Sequence, residues 1–136
     1  MPLNLESPSA RAAVYPFGGM VTADFLVGGR WVSPLFTPSW GTPEGEGGFL
    51  ERLRGDFPCV PFGGSAAPSA LPKGWEPEEG AEDPDCFAHG FGAHHPWQVQ
   101  KTGGRSARIF VDYPPGHPVR RLERTVALDA ELPLVT

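Results

Sequence analysis

The chain has 136 residues, of which 18 are Gly and 17 are Pro. That is about twice the usual share of these two types, and it excludes a helical bundle because both break helix interiors. Four Trp, nine Phe and two Tyr are too many aromatics for a solvated coil, and a net charge of −5 excludes the basic face that nucleic acid requires.

In chain order, residues 12–17 (AAVYPF) read as a short strand closed by Gly18-Gly19. Residues 20–27 form a second strand, and Gly28-Gly29 a hairpin turn into a third over 30–36. Residues 37–48 are turn-rich. FLERLR, 49–54, fits either one helical turn or an irregular strand. Residues 57–62 (FPCVPF) carry two prolines, so a strand here sits at an edge or a bulge. Residues 63–85 form a long loop with six acidic residues and one Lys, read as a solvated insertion. Strands resume over 97–101, 107–113 and 119–130. In the last, Val119, Arg121, Glu123 and Thr125 share one face, and a register change then places Val126, Leu128 and Ala130 together. A short strand, LPLVT, ends the chain. The expectation is one all-β domain over residues 1–136, an antiparallel sandwich.

Two cysteines, Cys59 and Cys86, do not make a disulfide framework. The segment MPLNLESPSAR lacks the apolar stretch of a secretory leader. No run reaches the roughly eighteen apolar residues of a membrane span. A cytoplasmic protein with reduced thiols follows as the expectation, with no membrane and no nucleic acid among its partners.

Two stretches carry chemistry. In HGFGAHHPW, three histidines, His89, His94 and His95, fall within seven residues just before a strand. Imidazoles titrate near neutral pH, and the stretch supports general acid/base work, a metal site or histidines bonded to backbone carbonyls. The metal reading, of a cupin-like kind, is the weakest. Adjacent His94 and His95 point to opposite faces of an extended chain, and Cys86 with His89 has no second pair to complete a tetrahedral set. No metal or cofactor is expected. In RGDFPCVPFGG, Arg54 on a Gly-rich bend offers a fork of donors for hydroxyl pairs, carboxylate or phosphate. Its bland alternative is a surface pair with Asp56 or Glu51. Cys59 reads as a small core residue. Trp31, Trp40, Trp75 and Trp97 suit either a sugar-stacking platform or the core. No nucleophile elbow and no P-loop is present.

Taken together, RGDFPCVPFGG, the acidic loop and HGFGAHHPWQV resemble, in that order, the galactose-mutarotase-like family, and within it the hexose-6-phosphate 1-epimerase branch. That branch shows Arg-Gly-Gly-x-Pro-x-x-x-Pro-x-Phe-Gly and later His-Gly-Phe-Ala-Arg before a Trp-containing strand. The opening AAVYPFGGMVTADFLVGGRWVSPLF and the close HPVRRLERTVALDAELPLVT are similar to the family's early and middle strands. The resemblance covers most of this chain and about half of a family member, whose domain is a β-supersandwich. It implies that Arg54 binds a hexose and that His89 is catalytic beside the sugar ring; His94 and Trp97, in the same stretch, are expected as further substrate contacts. Similar proteins open the ring with a Glu base and a His acid of near-neutral pKa.

The departures are specific. The family's catalytic Glu and second His fall in the half that this chain does not match. Ala93 replaces the motif's Arg, and Asp56 replaces a Gly and would repel a phosphate. The resemblance thus implies an aldose 1-epimerase-like protein that binds a hexose and interconverts its anomers, with a non-catalytic carbohydrate-binding or interaction domain as the alternative. Half a supersandwich also leaves an open sheet edge. The expected partner is a second copy in a homodimer, or a separate chain that completes the sheet.

Overall fold

In a computed structural model, the structure describes residues 1–40, 47–61, 73–74 and 87–136. The acidic loop other than residues 73–74, together with Phe62, Trp75 and Cys86, lies outside the described residues. The described chain is mostly antiparallel β. Strands β1 (Leu3–Glu6), β2 (Ala10–Val14), β3 (Val21–Val27) and β4 (Arg30–Val32) form one sheet in that order. Strands β5 (Gln98–Gly103), β6 (Ser106–Asp112) and β7 (Arg121–Ala127) form a second. Two single-turn helices, α1 (Phe49–Arg52) and α2 (Phe91–His94), sit in the long connection between the sheets.

The sheets face each other through one apolar layer. Leu5, Ala10, Ala12, Val14 and Val21 of the first sheet meet Ala107, Ile109, Val111, Val126 and Leu128 from the second sheet and its end. The period-2 alternation of β2 puts alanines inward, and the pairing Ala12↔Ala23 sets a small patch on that face. Larger residues of the second sheet, Ile109 above all, lie in the same layer. Small facing large is how two pleated faces interdigitate at interior density.

Turn chemistry closes the first meander. Gly28 and Gly29 have φ of 56° and 78°, the left-handed pair that a two-residue hairpin turn requires. The β3–β4 register Val27↔Arg30 follows directly. At Gly18, the backbone N–H donates to the carbonyl of His95 at 3.0 Å, and Trp97 N donates to Pro16 at 2.7 Å. These bonds tie the first meander to the histidine stretch.

Several expected boundaries shift. The strand expected over 12–17 is β2, which begins at Ala10 and ends at Val14, and β1 precedes it without any signal noted in the sequence. The strand expected over 30–36 stops at Val32, before Pro34. FLERLR resolves to the helical turn α1, anchored by buried Phe49. Residues 57–61 form no strand; only Asp56 pairs, with Val21, and the peptide between Val60 and Pro61 is cis.

The register change expected in the last long strand is absent. β7 pairs with β6 without interruption from Asp112↔Arg121 to Ser106↔Ala127. Leu122, Arg124 and Val126 share the inward face throughout. Arg124 disguised the alternation: it points inward and ends on Asp56 at 2.8 Å. An irregularity does occur in β5, between Lys101 and Gly103. The C-terminal segment folds back beside β7. Ala127 and Thr136 exchange backbone hydrogen bonds at 2.8 and 2.9 Å. Among the described residues no helix is long and apolar enough to cross a membrane.

Candidate functional site

The connection between the sheets builds a second apolar cluster. Met20, Phe49 and Ala93 form its buried centre, and Tyr15, Phe17, Leu53 and Phe57 pack around them. Both chemistry-bearing stretches border this cluster.

His89 sits in a tight turn, in which Gly90 N donates to Phe87 O at 3.0 Å. Its φ is 70°, and it is the only described non-glycine residue with a positive φ. His tolerates that region better than most side chains, at a cost of about 1–2 kcal/mol. The next residue must be Gly. A Cβ at Gly90 would lie 1.9 Å from the carbonyl oxygen of Val60. The turn is thus pressed against the 57–61 segment, which Tyr113 Oη also holds by donating to Val60 O at 2.5 Å.

This placement sets the His89 imidazole among rings. It lies 5.3 Å from Phe49 and 5.5 Å from Phe57, edge-on to the latter. Its Nδ1 is 3.5 Å from Cys59 Sγ. Burial pushes the Cys59 thiol above its ordinary value, so it remains a neutral thiol at pH 7. Cys59 is thereby a half-buried partner of His89 in addition to a small packing residue.

The other two histidines are bonded to backbone. His94 Nε2 lies 2.7 Å from Ala88 O, and His95 Nδ1 lies 2.7 Å from Phe91 O. A carbonyl only accepts, so each of these nitrogens carries the proton and donates. His94 packs between Phe49 and Phe87 with both centroids 5.0 Å away. His95 stacks on Phe91 at 3.5 Å.

Trp97 is a core residue. It is 3% exposed, its Nε1 donates to Gly92 O at 2.7 Å, and it belongs to the inter-sheet layer. It offers no face to a ligand, which corrects its expected role as a substrate contact. The physical reason is its position: Gly19 abuts one side of the indole so closely that a Cβ there would lie 2.8 Å from the ring.

Arg54 is not the surface residue of its bland alternative. It is 4% exposed and follows the α1 turn. Its Nε donates to Arg52 O at 2.8 Å, and its guanidinium carbon lies 4.9 Å from the centre of the Tyr15 ring. Among the described residues no carboxylate pairs with it. Neither expected partner is engaged with it: Asp56 pairs with Arg124 at 2.8 Å, and Glu51 is exposed on α1. Buried charges are ordinarily paired, so this one stands out chemically. Arg54 lies against Tyr15 and His89 against Phe49 and Phe57, and these three rings pack in the same apolar cluster.

Sequence reasoning missed the aromatic residues of the site. Phe49, Phe57 and Phe87 surround His89 and His94, yet nothing in their spacing distinguishes them from core. Among the described residues no group of three or more His, Cys, Asp or Glu comes together to hold a metal ion. No family model, curated protein or solved structure matches the chain.

Proposed function

We propose that this chain binds a hexose between Arg54 and His89, on a galactose-mutarotase-like scaffold. The observation that carries the reading is the buried Arg54 guanidinium without a carboxylate among the described residues. A fork of donors with no carboxylate beside it favours a ligand that supplies paired oxygens, as vicinal sugar hydroxyls do. Aromatic rings at the same cluster suit the apolar face of a pyranose. His89, kept in a costly backbone conformation among those rings, supplies an imidazole that can hydrogen-bond a hydroxyl.

Of the two forms of this reading, non-catalytic binding is the better supported. Ring opening needs a base opposite the acid. Among the described residues the carboxylates of Asp56, Asp112 and Glu123 are each paired with an arginine, and Glu51 is exposed on α1. Anomer interconversion, with His89 as the acid, is the second reading and rests on the placement of His89 in the ring cluster. Cys59 is a free cysteine, which suits a reducing cytoplasm.

Calorimetric titration with glucose and galactose tests the reading, together with polarimetry of their anomers. Saturable binding that disappears in folded Arg54→Gln, with anomerisation at the buffer rate, supports a binding module. Anomerisation above buffer that is lost in His89→Ala supports the epimerase. Absence of binding by every hexose tried overturns both.

A further inference from the structure

We propose that the free edge of β7 pairs with the β7 of a second copy, antiparallel, about a two-fold axis at Leu122. This pairing is independent of sugar binding and follows from backbone direction and charge register.

Backbone groups along β7 alternate between its two sides. Leu128 N donates to Arg105 O, and Tyr113 N donates to Arg120 O, so even-numbered residues face β6. Ala127 exchanges bonds with Thr136 on the opposite side. The N–H and C=O groups of Arg121, Glu123 and Thr125 therefore point away from β6. Among the described residues none of these groups has a backbone partner, and β7 is the last strand of its sheet. Such an edge is a template for another strand.

The side chains select the occupant and the register. Hydrogen bonding requires odd residues to meet odd residues. An axis at Glu123 sets Glu123 against its own copy, and one at Arg121 sets Arg121 against its own copy; like charges directly opposed are unfavourable. An axis at Arg124 sets Arg121 of the second copy against Ala127, where Thr136 already lies. An axis at Leu122 places Arg121 opposite Glu123 of the second copy, twice. Four main-chain bonds then form, and Leu122 meets its own copy as a close, non-hydrogen-bonded pair.

That register also continues a pattern already present. On the outer face, Arg121 Nε donates to Asp112 at 2.6 Å, and Arg108 Nε donates to Glu123 at 2.6 Å. Joining two copies gives chains of ion pairs that read Asp112, Arg121, Glu123, Arg108, alternating in sign across the junction, with Arg108 reaching Glu123 diagonally. Beneath them Arg108 and Arg121 both cover the Phe110 ring, 5.4 and 4.5 Å from its centre. A surface that complements itself about an axis is what a two-fold interface requires.

Sedimentation and light scattering of the full chain test this. The wild type is expected at twice 14.6 kDa, with dissociation favoured by high salt. Glu123→Lys and Arg121→Glu are each expected at half the wild-type mass, since each sets like charges opposite one another. An equimolar mixture of the two variants is expected to regain the wild-type mass, because each then supplies the charge that the other lacks. A wild-type monomer overturns the proposal, as does a wild-type dimer that both variants retain. Should a variant fail to fold, hydrogen exchange of the wild type decides. Amides of Arg121 and Glu123 that slow as chain concentration rises support the interface, and amides that stay fast in a dimer overturn it.

Discussion

The hydroxyl of Tyr113, just past the end of β6, donates to the carbonyl oxygen of Val60 at 2.5 Å. The same oxygen occupies the space that a side chain at position 90 would need. One carbonyl thus links the second sheet to the turn that carries His89. Tyr113→Phe removes the donor and keeps the ring. The expected loss is about 1 kcal/mol of stability, read by denaturant unfolding, with faster hydrogen exchange at Gly90. Unchanged exchange there would mean that the turn is held without Tyr113.

His89 tests whether backbone strain is kept for the side chain. His89→Gly relieves the positive φ and gives up ring contacts, so stability should stay within about 1 kcal/mol of wild type. His89→Ala keeps the strained backbone and gives up the same contacts, so it should be the less stable of the two. Both variants should lose sugar binding. A loss well above 3 kcal/mol for the Gly variant would place it among the packing mutations and make His89 a core residue.

Trp97 makes the opposite forecast. Trp97→Ala opens a cavity under both sheets and leaves Gly92 O without its donor, with an expected cost of about 3–5 kcal/mol. Thermal and denaturant unfolding read this directly. A folded Trp97→Phe should bind sugar as the wild type does, since position 97 faces the core.

Acid stability follows from the outer charged rows. The hydrogen bond from Arg121 holds the Asp112 carboxyl below its ordinary 3.8, and that from Arg108 holds Glu123 below 4.5. Backbone N–H groups of Leu132 and Glu131 do the same for Asp129. A carboxyl with a lowered folded value contributes stability that is complete above its unfolded value and is lost as pH falls through the folded one. Melting temperature should therefore hold steady down to roughly pH 4.5 and fall below it. The pairs are solvent-exposed, so the fall should be modest and smaller at high salt. A melting temperature that already declines well above that pH would contradict this assignment.

The all-β character was legible because aromatic and β-branched runs alternate between glycine pairs, and the Gly28-Gly29 hairpin needed no tertiary information. Strand β1 was not legible: LNLE is four residues long, and its burial depends on pairing with β2. Helix α2 spans only Phe91–His94, too short for a helical period to register. In β7 the pattern misled because a charged residue, Arg124, faces inward to reach Asp56. Of the site residues, Arg54 and His89 stood out by type and by neighbouring glycines. The burial of Arg54 and the ring cage around His89 depend on contacts between α1, α2 and the 57–61 segment, which are distant in sequence. Trp97 was ambiguous for a plain reason: a buried indole and a sugar platform use the same residue.

Sugar binding at Arg54 and His89 is read most directly by nuclear magnetic resonance titration of the labelled chain with glucose and with galactose, observing side-chain Nε–H of Arg54 and the ring signals of His89. Saturable shifts are expected at both residues and at Phe49 and Phe57, with the outer face of β6 and β7 unmoved. Shifts confined to other surfaces, or none at saturating sugar, would contradict binding there.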